Sequence, residues 1–313
     1  MPIAATELAR RLGAKAAWLD RDDSQSLENL SLPKNATPTS LSFLSDPRLA
    51  RLVDNAGAVL VEEKYQDLVR RPFTVSRLSL AIARARQWLP VKSSGNSGAG
   101  AERKGVHSTA SIDQGVLIGD ATSVGAHSVI SGCVKIGNHC SIGPNVVING
   151  PVSIGNRVRI DANTTIGAKP FMYVEDGCKW VEFPCFAGVQ IRDGVDVGAG
   201  GTIDRGVTED TVIGSDVKLD NQVHIGHGTS VGRDTVVAAG VTVAGEATIG
   251  ERCKIGGASA IGEGVNIAHD VTLAGMSAVT RSLPHAGAYA AAWPVQESRV
   301  WWRQLALLKR MVR

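Results

Sequence analysis

Two histidines three residues apart, His224 and His227, are the side chains of this sequence best suited to move a proton. They lie in the segment LDNQVHIGHGT, residues 219–229. Imidazole has a pKa near 6.5, so at neutral pH it can take a proton from a substrate and return it. A histidine in an exposed turn is more often simply solvated. We expect this of His107, His127, His139 and His269.

The elements that must position these histidines follow from a six-residue repeat. Aliphatic residues recur at every sixth position over 106–166, 191–203 and 213–279. A parallel β-helix has this period, because three short strands form the sides of a triangular coil and Gly or Asn supplies positive φ at the corners. Coils stack at roughly 4.8 Å, with the aliphatic side chains inside. The sequence therefore predicts a mainly β protein whose core needs few aromatics, and aromatics are only 4% of the chain.

Composition divides the rest of the chain. The predicted divisions are a small α/β domain at 1–90, a Gly- and Ser-rich linker at 91–105, the prism at 106–280 and a helical extension at 281–313. Most of the Phe and Tyr residues fall in 167–190, so we expect that stretch to project from the prism as a loop or hairpin.

Local patterns predict further elements. In the first domain, Thr6 should cap a helix that Gly13 ends, 56–63 should be a strand, and 73–89 should be an amphipathic helix. A terminal helix at 295–313 could cap the open end of the prism.

Charge and cysteine content exclude several classes of protein. The net charge of +3 and pI of about 8.6 are too mild to indicate nucleic-acid binding. Five cysteines at irregular spacing favour a reducing compartment, and no apolar run approaches the roughly 20 residues of a membrane span. We therefore expect a cytoplasmic protein. Cys178 and Cys185 lack the paired spacing of a zinc site, and no metal is expected.

Four segments carry a family resemblance: GTIDRGVTEDTVIG (201–214), LDNQVHIGHGTSVG (219–232), VTVAGEATIG (241–250) and IGGASAIG (255–262). With the order of the parts, they resemble the UDP-3-O-(3-hydroxyacyl)glucosamine N-acyltransferases of lipid A biosynthesis. The resemblance implies a left-handed β-helix and a homotrimer with active sites between neighbouring prisms. It also implies transfer of a 3-hydroxyacyl chain from acyl carrier protein to the 2-amine of a UDP-linked glucosamine. The protein would hold no cofactor, because the donor carries the phosphopantetheine.

By the same resemblance, His227 is the general base and the backbone N–H of Gly245 is the oxyanion donor. The spacing agrees, because residues eighteen apart stack at one corner of the prism. Other residues are expected to bind substrates: Asp220, Asn221, Gln222 and His224 near the sugar, Phe43 and Asp46 at the uracil, Met276 and Ala278 along the acyl chain, and Arg281, Arg299 and Arg303 at the acidic carrier protein or the phosphopantetheine phosphate.

Departures from the family pattern leave alternatives open. Gly228 stands where the family has Asn, and Leu49 where the family has a ring that stacks on uracil. One alternative is an acyl- or acetyl-CoA-dependent transferase that acts on another nucleotide amino sugar. A second is a non-catalytic β-helix relative. The basic face of the terminal helix has an alternative too, as an ordinary solvated surface.

Overall fold

The computed structural model describes residues 2–20, 25–92, 105–291 and 295–311, which form two compact units, Met1–Ala101 and Glu102–Arg313. Within the described residues, no helix is both long and apolar enough to cross a membrane.

The first unit contains a five-stranded parallel sheet in the order β6-β5-β4-β3-β7 and an antiparallel β1–β2 pair. Its elements are β1 Ile3–Ala4, α1 Ala5–Leu12, β2 Ser26–Leu27, β3 Asn29–Ser31, β4 Ser40–Leu44, β5 Ala58–Val61, β6 Pro72–Thr74, α2 Leu78–Ala85 and β7 Val91–Lys92, with short 3₁₀ turns at Ala17–Asp20, Pro33–Asn35, Pro47–Val53 and Glu63–Leu68.

Sequence-based expectations for this unit are met in part. Gly13 ends α1 in the left-handed conformation, and the strand expected at 56–63 is β5. The cap expected from Thr6 is wrong, because Ala4 precedes the helix and no side chain bonds to its first turn. The helix expected at 73–89 is shorter, because Phe73 is buried in strand β6, which pairs with β5.

The second unit is a prism of three parallel sheets, followed by a helix. Its elements, in chain order, are β8 Ser111–Ile112, β9 Leu117–Ile118, β10 Ser123–Val124, β11 Val129–Ser131, β12 Val134–Ile136, β13 Ser141–Ile142, β14 Val147–Asn149, β15 Val152–Ile154, β16 Arg159–Ile160, β17 Thr165–Ala168, β18 Tyr173–Asp176, β19 Lys179–Glu182, β20 Val189–Ile191, β21 Asp196–Val197, β22 Thr202–Asp204, β23 Thr211–Ile213, β24 Lys218–Leu219, β25 His224–Ile225, β26 Ser230–Val231, β27 Val236–Val237, β28 Thr242–Val243, β29 Thr248–Ile249, β30 Lys254–Ile255, β31 Ala260–Ile261, β32 Asn266–Ile267, β33 Val271–Leu273, β34 Ala278–Val279, β35 Gly287–Tyr289 and α3 Ser298–Met311.

Successive strands of the prism fall on three faces in turn. The first face holds β8, β11, β14, β17, β22, β25, β28, β31 and β34; the second holds β9, β12, β15, β20, β23, β26, β29 and β32; and the third holds β10, β13, β16, β21, β24, β27, β30, β33 and β35. All neighbours within a face are parallel, as in Ile225 beside Ile203 and Val243. The expected mainly β solenoid of hexapeptide repeats is therefore confirmed.

The core of the prism is a column of Val, Ile and Leu, with Cys140, Ala247 and Cys253 as its other buried members. No aromatic side chain is among these buried residues, as the composition predicts. The core extends past 280, because Leu283 and Tyr289 pack against its last coil.

Two segments depart from the regular coil, and the first of them was expected. Residues 169–188, within the expected 167–190, leave the prism between β17 and β20, and β18 and β19 pair only with each other as an exposed antiparallel hairpin. The excursion at 204–210 lengthens one coil, so that Thr202 lies beside His224, 22 residues on.

Helix α3 was expected to cap the open end of the prism, but the structure does not support this. Its apolar side chains Val300, Trp302, Leu307 and Leu308 are exposed, and the last coil is covered instead by Leu283 and Tyr289.

Candidate active site

His227, Gly245 and Glu263 stack in one column at the corner between the first and second faces. Each follows an inward aliphatic residue by two positions, after β25, β28 and β31 respectively. A Cβ added to Gly245 would overlap Nε2 and Cε1 of the His227 ring. The imidazole therefore lies directly against the backbone one coil along, in space that exists because residue 245 has no side chain.

The backbone N–H at this position of a coil is bonded to a side chain at some corners and has no partner among the described residues at others, such as Ala239, Gly257 and Gly275. At five other corners, the equivalent N–H donates to a side chain on the next coil at 2.7 to 2.9 Å, in the pairs Asp120–Asn138, Asn138–Asn156, Asn156–Asp193, Ala199–Asn221 and Glu251–His269.

In the site column this capping fails twice. Gly245 has no side chain to accept from the N–H of His227, and the Glu263 side chain does not accept from the N–H of Gly245. Neither N–H donates to any described residue. Two uncommitted donors beside an imidazole are the elements of an oxyanion site, since preorganised N–H groups stabilise negative charge that develops in a transition state.

The two nitrogens of the His227 ring have different surroundings. Nδ1 is buried and has no hydrogen-bond partner among the described residues. Nε2 is the ring nitrogen that adjoins Gly245, and both residues line a cavity. The geometry therefore favours Nε2 as the nitrogen that exchanges a proton with a ligand.

His224 is tied to its own chain through both ring nitrogens. Its Nδ1 lies 2.7 Å from Oγ1 of Thr202, and its Nε2 lies 3.9 Å from Oδ2 of Asp204. Asp204 is buried, with 8% of its surface exposed. Burial raises the pKa of the Asp204 carboxyl, and the His224 and His227 rings act in the opposite direction.

The cavity has a volume of about 490 Å³ and is bounded by both the prism and the hairpin. Its lining residues are Phe171, Met172, Tyr173, Trp180, Asp204, His224, Gly226, His227, Gly245 and Glu263. Three of these, His224, His227 and Gly245, were predicted from the sequence. Asp204, Glu263 and the hairpin side chains were missed, although the cluster of aromatic residues in an aromatic-poor chain was a signal that the hairpin has a role.

Residues 220–222 lie one corner earlier than His227 and do not line the cavity. Asn221 Oδ1 accepts from the N–H of Ala199 at 2.8 Å, and Asp220 Oδ1 accepts from the N–H of Asn221 at 2.7 Å. Gln222 is exposed, in the left-handed conformation. Within one chain, a face of the prism therefore separates Asp220, Asn221 and Gln222 from the corner that holds His227.

Residues expected at the acyl chain and carrier protein also lie away from the cavity. Ala278 is on the first face, three strands beyond His224, and Met276 is 74% exposed at the preceding corner. Arg281 borders a separate groove with Ala278 at the end of the prism. Arg299 and Arg303 are exposed on α3.

In the first unit, the residues expected to hold uracil have internal contacts. Phe43 is half-buried on β4 against the core of that unit. Asp46 precedes the turn Pro47–Val53 and pairs with Arg48 at 2.6 Å, and these bonds hold the pKa of Asp46 below its ordinary value. Leu49 is partly exposed.

Comparison with protein families matches hexapeptide repeats over the prism. The family described as bacterial transferase hexapeptide (six repeats) matches residues 133–168 and 210–245, and the hexapeptide repeat of succinyl-transferase matches 246–281. His227, Gly245 and Glu263 all lie within these matches. A search of curated protein sequences finds no match.

Comparison with solved structures finds UDP-N-acetylglucosamine acyltransferases. The enzyme of Campylobacter jejuni is 25% identical, with a TM-score of 0.51 over 57% of this chain and 68% of that chain. The enzyme of Francisella novicida is 22% identical, with a TM-score of 0.56 over 64% and 73%. That of Bacteroides fragilis is 22% identical, with a TM-score of 0.53 over 64% and 77%. The latter two likenesses support the fold alone.

Proposed function

We propose that this chain, which is a hexapeptide-repeat acyltransferase, moves a 3-hydroxyacyl chain from acyl carrier protein to the 2-amine of a UDP-acylglucosamine, a reaction of lipid A biosynthesis. One observation carries the proposal: the His227 ring lies against Gly245, whose N–H is uncommitted, in a cavity of small-molecule size.

The proposed reaction is aminolysis of a thioester. The amine attacks the thioester carbon while its proton passes to Nε2 of His227. The oxyanion of the tetrahedral intermediate accepts a hydrogen bond from the N–H of Gly245. Collapse breaks the carbon–sulfur bond, and the leaving thiolate takes the proton back from His227. The products are an amide and the free thiol of the carrier, and the enzyme returns to its starting state.

The charge of the cavity favours an amine as acceptor. Its ionisable lining consists of Asp204, Glu263 and the two histidines, with Tyr173 on the hairpin, and no Lys or Arg among the described residues contributes to it. An amino sugar enters as an ammonium, which carboxylates attract, whereas a hydroxyl acceptor carries no charge to be attracted. The bound ammonium first gives one proton to solvent, and His227 takes the second proton as the free amine attacks the thioester.

The first face offers a path for the acyl chain. Outward side chains beyond His224 are Thr242, Ala260 and Ala278, one on each successive strand. Three coils span about 14 Å, so an extended chain can lie along these small residues toward Met276 and Ala278. Arg281, Arg299 and Arg303 would then meet the acidic carrier protein.

A homotrimer accounts for residues 220–222. These residues lie at a different corner of the same coil from His227 and do not line its cavity. Around a three-fold axis, a heterologous contact places the 220–222 corner of one prism beside the His227 corner of the next. Asp220, Asn221 and Gln222 would then complete the neighbour's site.

The test is a panel assay followed by mass spectrometry. Acyl carrier protein and CoA thioesters are offered with UDP-amino sugars and with UDP-N-acetylglucosamine. We expect an amide product with the carrier-protein donor and an amine acceptor. Product from CoA donors alone would replace the proposal with the CoA-dependent alternative, and product only with the hydroxyl acceptor would overturn the N-acyl assignment.

His227→Ala should lower turnover by roughly 10²–10⁴, the usual contribution of a general base. His285→Ala is the matched control, because its side chain is exposed outside the cavity and should be dispensable. A loss below tenfold in a folded His227→Ala protein would show that another group is the base.

A further inference from the structure

We infer that Tyr173 and Trp180, on the hairpin formed by β18 and β19, are a stacking site for a planar heterocycle, the nucleobase of the acceptor. The inference rests on the proposed function, in which the acceptor is a nucleotide sugar. It assigns the nucleobase to the second unit rather than to Phe43 and Asp46 of the first.

The register of the hairpin places both rings on one face. Tyr173 pairs with Glu182 and Glu175 pairs with Trp180, so these four side chains point the same way. Tyr173 and Trp180 are diagonal neighbours, roughly 7–8 Å apart at the backbone. A flat ring held between two others needs them about 7 Å apart, twice a van der Waals contact.

The rings of Tyr173 and Trp180 do not stack on each other. Phe171 packs against Tyr173, with ring centroids 5.1 Å apart and tilted by 60°. In the part of the chain that the structure describes, Trp180 pairs with no aromatic ring, and 71% of it is exposed. An exposed indole bordering a cavity beside an imidazole has area to bury against a ligand.

The neighbouring charges favour a heterocycle over an acyl chain. Glu175 lies directly across from Trp180 and Glu182 directly across from Tyr173, and Lys169 pairs with Glu182 and lies over the Tyr173 ring. A hydrocarbon chain on this surface would desolvate carboxylates without forming hydrogen bonds. A nucleobase presents a flat apolar face to the rings and polar edges to these groups.

The position of the hairpin suits one acceptor molecule that reaches both parts of the site. Phe171, Tyr173 and Trp180 line the same cavity as His227 and Gly245. An amino sugar at His227 would therefore have its nucleotide within the same enclosure. In contrast, Phe43 packs into the core of the first unit, Asp46 is paired with Arg48, and Leu49 has no ring.

The experiment measures binding of UDP to the full-length protein by isothermal titration calorimetry, without acyl donor. Trp180→Ala should weaken binding about 5- to 100-fold, the usual range for one base–aromatic stack. Trp180→Phe keeps a flat ring and should retain most of the affinity. Phe186→Ala is the matched control, because Phe186 is an exposed aromatic of the same loop that does not line the cavity.

Three outcomes would overturn the inference: no measurable UDP binding by the native protein, unchanged affinity in Trp180→Ala, or a larger loss in Phe43→Ala than in Trp180→Ala. Unchanged affinity together with an altered oligomeric state would assign the hairpin to a contact between copies of the chain. The titration contains no acyl donor, so it tests the stacking site separately from catalysis. A protein that binds UDP through Trp180 but forms no amide in the panel assay would contradict the proposed function and leave the stacking site standing.

Discussion

Gly245 is the residue on which the position of the His227 ring depends. The equivalent residue of other coils, such as Asn138, Asn156 or His269, reaches down to cap the preceding amide. A side chain at 245 would occupy the space of the imidazole. The missing Cβ thus creates the room for His227 and leaves the His227 N–H without a side-chain acceptor, whereas the N–H of Gly245 is free because the Glu263 side chain does not accept from it.

Gly245→Ala should therefore lower turnover about 100-fold while the prism stays folded, because a shift of about 1 Å in a catalytic group is enough for such a loss. The measurement is kcat together with thermal unfolding. Gly115→Ala is the control, since a Cβ there meets nothing within 4 Å, and it should retain full activity. Full turnover in Gly245→Ala would mean that the ring can move without cost.

Asp204, in the same cavity, makes the free energy of unfolding depend on pH. Burial raises the pKa of its carboxyl above the unfolded value, against the opposing effect of His224 and His227. A raised carboxyl pKa means that the folded state holds its proton more tightly than the unfolded state. The protonated carboxyl therefore stabilises the folded state fully at a pH below 3.8, the pKa of Asp204 in the unfolded chain. This contribution to the free energy of unfolding is lost as the pH rises through the pKa of Asp204 in the folded protein.

Asp204→Asn removes this titration. The Tm of the variant minus that of the native protein should therefore be larger at pH 7 than at pH 4, measured by calorimetry at both values. Glu263→Gln, an exposed carboxylate in the same cavity, is the control and should leave Tm nearly unchanged at both. An Asp204→Asn difference that is equal at the two pH values would show that the histidines fully offset the cost of burial.

At the scale of elements, the six-residue period predicted the prism because the inward aliphatic positions from Val124 to Val279 are buried. Ile203, Ile225 and Val243 stack in register, as the spacing requires. The same period predicted the column of His227 and Gly245, because residues one full coil of three hexads apart lie above one another. It also indicated that 167–190 must leave the coil, because aromatics do not fit the core.

Counting residues could not show where the projecting hairpin lies. Tyr173 and Trp180 line the cavity because the chain between β17 and β20 folds over the corner, and no period encodes that direction. Nor could it show that Asp204 is buried, since an acidic residue after an inward Ile is usually solvated.

Short-range signals were less reliable in the first unit. Thr6 is a good cap in isolation, but the helix begins at Ala5, where β1 ends and a backbone bond from Ala5 to Gln25 fixes the chain. Phe73 fits a helical spacing, yet pairing of β6 with β5 buries it completely. In both cases, tertiary contacts outweighed local preference.

At the scale of the whole molecule, the residues proposed to form the site lie at two corners of the prism. His227 has its cavity and its free donors within one chain, whereas Asp220, Asn221 and Gln222 face a different side of the same prism. A heterologous three-fold contact would join the two corners across a boundary, so each site would take its base from one copy and these polar groups from the next.

This arrangement makes a distinct prediction for mixed assemblies. His227→Ala and Asp220→Ala should each be nearly inactive alone, because every site in either trimer lacks one component. The two variants are then co-expressed in equal amounts. The Asp220→Ala copy keeps the native His227, and the His227→Ala copy keeps the native Asp220. A boundary is complete when the first kind of copy supplies residue 227 and the second kind supplies residue 220. Random assortment gives about a quarter of such boundaries.

Activity near a quarter of the native value is therefore expected, with separately purified and unmixed variants as the control. If both residues acted within one chain, mixing would restore nothing, because no copy would carry both.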